Sequence, residues 1–240
     1  MRHKNSVALH DATLAPSKSL VLTRLALSLS LAAITLPALA GRPMLNDDAT
    51  LVDHCQLESW VERQAGANTF WAIPACQAFG VEWGIGLAKT PGGEPQQYAF
   101  AAKTELKTLE SNGFGITAQL AYQFAADARQ EGDWLLNLAY TRSLADDAVL
   151  IHTNLGHLKR DSATNDWVAG VAAQFAVREN HWVFAELYRE QAGRPLYQIG
   201  YLAELIPERL QLDVSYSNGL DRSGREDLFT AGLVFFFSLR

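Results

Sequence analysis

Residues 227–240 read DLFTAGLVFFFSLR, with Phe229, Ala231, Leu233, Phe235 and Phe237 alternating with Leu228, Thr230, Gly232, Val234 and Phe236. A period of two places successive side chains on opposite faces of a strand. A strand this apolar and aromatic, at the end of a chain that opens with an export signal, predicts the closing strand of an antiparallel transmembrane β-barrel. Outer-membrane barrels commonly finish on an aromatic that the barrel-assembly machinery recognises. Here Ser238, Leu239 and Arg240 follow the last aromatic, Phe237, so either recognition tolerates the extension or assembly is less efficient.

The export signal lies well downstream of Met1. Lys18 and Arg24 form its basic region, residues 25–36 are uncharged and apolar, and Ala38-Leu39-Ala40 offers the small residues that signal peptidase reads. An apolar run of that length falls short of the roughly 20 residues a spanning helix needs, so the sequence predicts cleavage after Ala40 rather than a retained anchor. Residues 1–17 do not resemble a signal, which suggests a start codon placed too early. The expected organisation is therefore a signal peptide at 1–40, an N-terminal periplasmic tail at 41–52 and a barrel at 53–240. Removing Arg2, Lys4, Lys18, Arg24 and Asp11 with the signal takes the net charge from −6 to −9. So acidic a chain, with no cluster of Lys or Arg, has no reason to bind nucleic acid.

The same alternation recurs upstream. Residues 53–64 and 69–79 form a hairpin about Ala65-Gly66, and further runs occupy 81–88, 98–107, 114–124, 134–141, 148–158, 166–177, 182–189, 196–205 and 209–217. With the terminal strand these make twelve, an even number, as a single-chain barrel with both termini on one side requires. Most runs approach the 9–11 residues a tilted strand needs to cross a bilayer. Connections at 79–80, 110–113, 144–147, 178–181 and 206–208 are tight, and those between them are longer except at Ala65-Gly66. Residues 182–205 alternate poorly, because Glu186 interrupts the face of Trp182, Phe184 and Tyr188 while Val183, Ala185 and Leu187 offer a rival one.

A soluble lipocalin-type barrel is the alternative, but it would need charges along one face of each strand. Here the second face is mostly Gly, Ala, Thr, Gln and Asn, which suits a narrow wet lumen. Trp60, Phe70, Trp71, Trp134, Tyr140, Trp167, Trp182, Tyr188, Tyr197, Tyr201 and Tyr216 lie near strand ends, where interfacial girdles in the outer-membrane lipid would use them. The lumen-lining candidates are Glu58, Glu82, Lys103, Glu105, Gln119, Gln123, Asn137, His152, Asn154, Gln174 and Asp213, with Glu62, Thr141, Gln198, Glu204 and Ser215 behind them. A lysine facing lipid at mid-bilayer costs about 2–4 kcal/mol, so Lys103 should point inward, with Glu105 beside it as compensation. The excess of carboxylates suggests either a satisfied filling network or a cation-favouring path. The tail could occlude part of the interior, with Asp47 and Asp48 as a solvated cap rather than a metal site.

Cys55 and Cys76 enter an oxidising compartment and are equidistant from the Ala65-Gly66 turn, which places them opposite each other. Opposed residues bring their Cβ atoms close enough for a disulfide. Free thiols or a metal pair are the other readings. No zinc-type spacing accompanies the cysteines.

The residues at the mature start, Gly41-Arg42-Pro43, Asp47-Asp48-Ala49, Cys55-Gln56-Leu57-Glu58, Trp60, Trp71-Ala72-Ile73-Pro74 and Cys76, resemble the MetA-pathway phenol-degradation outer-membrane transporters. Asn46 stands where that family's pattern has Thr. The resemblance implies a small barrel moving hydrophobic or aromatic molecules. Two further classes stay open: a non-conducting structural or interaction barrel acting through its loops, and an outer-membrane lipid hydrolase using Ser and His. For the hydrolase, His152 and Asn154 share a face, but Ser143 and Ser162 lie in or beside turns, so no nucleophile is assembled. Neither a catalytic role nor a cofactor is therefore expected, and the small-molecule cargo is not named by the sequence.

Overall fold

In a computed structural model, residues 44–93, 95–127, 132–161, 164–190, 195–220 and 227–238 are described. The signal peptide, its cleavage site and residues 41–43 lie outside them. Twelve antiparallel strands close into a barrel: β1 Cys55–Gln64, β2 Ala67–Ala78, β3 Val81–Lys89, β4 Gln97–Lys107, β5 Phe114–Ala125, β6 Asp133–Leu144, β7 Val149–Lys159, β8 Asp166–Arg178, β9 His181–Glu190, β10 Leu196–Ile206, β11 Leu210–Gly219 and β12 Leu228–Phe237. Each strand pairs with its neighbour in sequence, and β12 closes on β1 through an unbroken register from Cys55↔Phe237 to Gln64↔Leu228. Closure leaves no unpaired edge, as a barrel in lipid requires.

The mouth at which β1 begins and β12 ends is the terminal mouth; the other carries the longer connections and is the loop mouth. The exception at the loop mouth has a physical cause. Ala65 and Gly66 both hold positive φ, 50° and 86°, the backbone of a two-residue hairpin turn that matches the strand twist. Cys55 and Cys76 face each other across this hairpin and are joined in a disulfide. They share a strand face with Leu57 and Pro74, so the bridge lies on the outside of the wall.

The exterior is an apolar band. Trp83, Ile85, Leu136, Leu138, Leu155, Val171, Ile199 and Phe229 are exposed there. Aromatic pairs ring it near the loop mouth, Tyr98 with Phe124 (5.4 Å), Tyr122 with Trp134 (4.7 Å) and Tyr216 with Phe229 (5.0 Å). Nearer the terminal mouth Phe114 stacks with Tyr140 at 5.6 Å, and Phe79 stands fully exposed on its turn. Polar groups such as Gln119, Asn137, Thr141 and Ser217 are instead buried within the barrel. An apolar outside around a polar inside is a transmembrane barrel, the inverse of a soluble one. Among the described residues no helix is long and apolar enough to cross a membrane.

Four aromatics depart from the girdle expectation. Trp60 and Trp71 stack face to face inside the barrel, centroids 5.4 Å apart, and Trp182 and Tyr188 pack inward among buried apolar groups. In β9 the rival face is the outer one: Val183 and Leu187 are exposed while Phe184, Glu186 and Tyr188 are buried. The poor alternation there reflects an inward face built to hold something apolar.

Candidate functional site

What β9 holds is the chain's own N-terminal segment. Residues 44–52 form no strand, and Met44, Leu45, Asn46, Asp47 and Ala49 are buried. Glu186 anchors the segment's inner end. Its carboxylate accepts from the Leu45 amide (2.7 Å), the Asn46 amide (2.9 Å) and Asn46 Nδ2 (2.7 Å). Further along, the Asp47 amide donates to Asn154 Oδ1 (3.0 Å) and Asn154 Nδ2 returns a bond to the Asp47 carbonyl (2.8 Å). Ala49 donates to Thr141 Oγ1, Thr117 Oγ1 donates to the Asp48 carbonyl, and Val52 donates to Glu82 Oε2. An irregular segment can lie at membrane depth only if its backbone groups find such partners.

Lys103 Nζ reaches Asp47 Oδ1 at 2.7 Å and Asp48 Oδ1 at 3.3 Å. This replaces the expected compensation by Glu105: a β-bulge follows Glu105, whose carboxylate accepts from Thr108 instead. It also corrects the expectation of a solvated cap at Asp47, which is 1% exposed, whereas the Asp48 side chain is half-exposed. Burial pushes the Asp47 carboxyl up to about 6 against the pull of Lys103. Lys103, His152 and the bonds from Thr50 hold the half-exposed Asp48 carboxyl below the usual range. The two link docking to pH in opposite senses. The Asp47 contribution is present below 3.8 and lost as pH rises through about 6, and that of Asp48 is present above 3.8 and lost as pH falls through its lowered value.

The segment completes two dry clusters. Leu45 packs with Leu135, Leu158, Val168 and Tyr188, and Met44 with Ala172, Phe184 and Leu202. A third cluster, of Trp60, Trp71, Ile73 and Ala88, fills the opposite wall. Towards the terminal mouth the lumen opens into a cavity of about 1050 Å³.

The structure places Glu58, Lys103, Gln119, Gln123, Asn137, His152, Asn154 and Asp213 in buried positions. Glu82, Glu105 and Gln174 are half-buried, and Glu82 and Gln174 border the cavity. Lys103, Asn154 and Glu82 touch the N-terminal segment directly. His152 Nδ1 pairs with Thr141 Oγ1 at 2.9 Å, while the Ser143 hydroxyl donates to Asp147, so no Ser–His pair forms here. Ser162 lies outside the described residues.

Sequence reading missed Glu186, Asn46 and Gly170. A Cβ built on Gly170 would lie 2.0 Å from Asn46 Oδ1. Gly170→Ala is thus expected to wedge the segment off its seat. Overpacking of this kind costs ~1–3 kcal/mol, or about tenfold in the displaced population. Thermolysin, which cuts beside exposed leucines, should cleave at Leu45 or Leu51 correspondingly faster, and Ala169→Val on the outer face should not change the rate. An unchanged rate in Gly170→Ala would mean that Asn46 yields without releasing the segment.

These features define a class: a transmembrane β-barrel with its lumen occupied by its own N-terminal segment. The chain belongs to the family described as Uncharacterised conserved protein UCP029691, whose model matches residues 28–234. This is a different family from the MetA-pathway transporters that residues 41–76 resemble. Among solved structures, the fold is similar to a KdgM porin in complex with disordered oligogalacturonate (TM-score 0.64, 9% identity, covering 76% of this chain and 99% of that one). A NanC porin is similar at TM-score 0.58 and 8% identity, covering 76% and 100%. Omp33, an outer membrane protein of Acinetobacter baumannii, is similar at TM-score 0.51 and 10% identity, covering 78% and 99%. At such identities the likeness is one of fold. No curated protein matches the sequence.

Proposed function

We propose that the protein is an outer-membrane channel, closed at rest by residues 44–52, that passes small cations and polar neutral solutes when the segment moves. Export by the signal at 1–40, the lipid-facing band and the porin-like fold support the location. The observation that carries the selectivity is the buried charge. Among the described residues Asp47, Glu58 and Asp213 are buried carboxyl groups, against the single buried ammonium of Lys103. A low-dielectric passage lined by one sign of charge concentrates the opposite ion. Oligogalacturonate, the ligand of the KdgM porin, is a polyanion that such a lumen would repel. The hydrophobic or aromatic cargo implied by the MetA-pathway resemblance rests on residues 41–76 alone.

Refolded protein in planar bilayers under a KCl gradient should give a reversal potential of cation-selective sign. Anion selectivity, or no current from either the intact protein or one lacking the segment, would sink the proposal. The second reading, a non-conducting barrel acting through its loops, draws support from the two dry clusters on either wall near the loop mouth.

A further inference from the structure

The inward face of β11 is polar along its length: Gln211, Asp213, Ser215 and Ser217 alternate with the outward Leu212, Val214 and Tyr216. Gln211 borders the cavity at the terminal mouth, and Ser217 stands near the loop mouth. The hydrogen bonds of the N-terminal segment go elsewhere, to strands β3–β7 and β9. The row is also flanked by missing side chains, since Gly200 pairs with Ser215 on one side and Gly232 with Asp213 on the other. A glycine inside a strand marks a place where another group comes close. At Gly200 that group is the Phe184 ring, which leans across from β9 and would collide with a Cβ built there. Phe184 in turn packs on Met44 of the segment. The groove beside Ser215 is thus covered by an aromatic ring that the segment holds in place.

A second observation points to a ligand. Asp213 Oδ2, Ser215 Oγ and Thr230 Oγ1 are buried without a hydrogen-bond partner, and Ser215 and Thr230 face each other across β11 and β12. The other Asp213 oxygen accepts from Gln211 Nε2 at 2.7 Å. Each buried polar group left unpaired costs about 1–3 kcal/mol. A wall built only for closure avoids that cost with apolar side chains, as Leu135, Leu158 and Val168 do on β6–β8. A solute carrying N–H and O–H groups satisfies all three atoms once the Phe184 ring swings aside. Asp213 is the one charged residue of the row. At the row's foot Arg209 borders the cavity together with Glu204 and Glu208, so the entrance carries both signs and discrimination falls to Asp213. A carboxyl that water reaches is ionised at neutral pH.

We propose that the inner face of β11 is a polar track for solutes, with Asp213 as the residue that favours cations and the Phe184 ring as its cover. The proposal deepens the channel reading and rests on it for its purpose. Its test uses introduced thiols, because both cysteines of the chain are held in the disulfide and a single new one reports alone. Refolded Ser215→Cys is treated with two methanethiosulfonates of similar size, one bearing trimethylammonium and one sulfonate, with rates normalised to those for 2-mercaptoethanol. The cationic reagent should modify position 215 at least about tenfold faster than the anionic one, and adding Asp213→Asn should bring the two rates together. Ala88→Cys, in the dry cluster of Trp60 and Trp71, should react at least about tenfold more slowly than position 215 with the cationic reagent, as a packed wall excludes it. Heat-modifiable migration on gels checks that each variant folds; if Asp213→Asn does not, the two rates at position 215 and the comparison with position 88 decide the matter. A position 215 no more reactive than position 88, equal rates for the two reagents, or an unchanged ratio in folded Asp213→Asn would each overturn the track. Current through a barrel unreactive at position 215 would also overturn it and leave the channel reading standing. The expected reactivity in a barrel that passes no current would instead overturn the channel reading and leave the row as a binding groove.

Discussion

Deleting residues 44–50 is expected to raise single-channel conductance by at least about tenfold, because a twelve-stranded barrel emptied of an internal segment retains a water-accessible lumen. The expectation follows from what the segment contributes. Leu45 and Met44 complete two of the apolar clusters that keep water out. Asp47 and Ala49 bridge β7 and β6, through Asn154 and Thr141, across the interior. The wall does not depend on the segment for closure, since β1 pairs with both β12 and β2 through its full length and is bridged to β2 by the disulfide. The shortened barrel should therefore fold and still migrate heat-modifiably. Conductance equal to that of the intact protein would show that side chains of the wall, led by the Trp60–Trp71 stack, form the seal by themselves. The gating role of the segment would then be lost.

The wall was the legible part of this molecule and the plug was not, for a physical reason. Strand alternation is a local signal, written into each run of ten residues by the difference between lipid and lumen. Phe229, Ala231, Leu233, Phe235 and Phe237 declare their face without reference to any other strand, and β12 takes the expected partners, β11 and β1. The docking of residues 44–52 rests instead on groups more than 100 residues away, Asn154 and Glu186 among them. No local period encodes that pairing. The sequence did carry a trace of it, as the stretch where alternation failed. Trp182, Phe184 and Tyr188 are too apolar for a wet lumen, and Glu186 is too charged for a lipid face. Both anomalies disappear once a segment with its own apolar residues and free amides lies against that face. Lys103 gave a similar partial signal: its inward direction followed from the cost of lipid exposure, whereas its partners came from the tail rather than from its own strand.

Glu186→Ala is expected to release the segment more completely than any other single change in the wall. The carboxylate takes both backbone amides of Leu45 and Asn46 and the Asn46 side-chain amide. Hydrogen bonds to a charged acceptor contribute about 1.5–3 kcal/mol each, and buried donors left without an acceptor carry a further desolvation cost. Even at a discount for water entering the vacated space, a loss of ~3 kcal/mol corresponds to roughly a hundredfold rise in the undocked population. Glu186→Gln should come close to it, because the substituted amide offers one acceptor and sets an N–H group against three donors. Glu186→Asp keeps the charge but withdraws it by one methylene, and should fall between. The order Ala, Gln, Asp, unaltered protein is expected for thermolysin cleavage at Leu45 and Leu51, and the same order for open-channel probability in bilayers. If cleavage rises in this order while conductance stays flat, the segment is released without opening a path, and the non-conducting reading gains. If Glu186→Ala leaves the segment as protected as before, the three bonds are not what holds it, and docking must come from the apolar contacts of Met44 and Leu45.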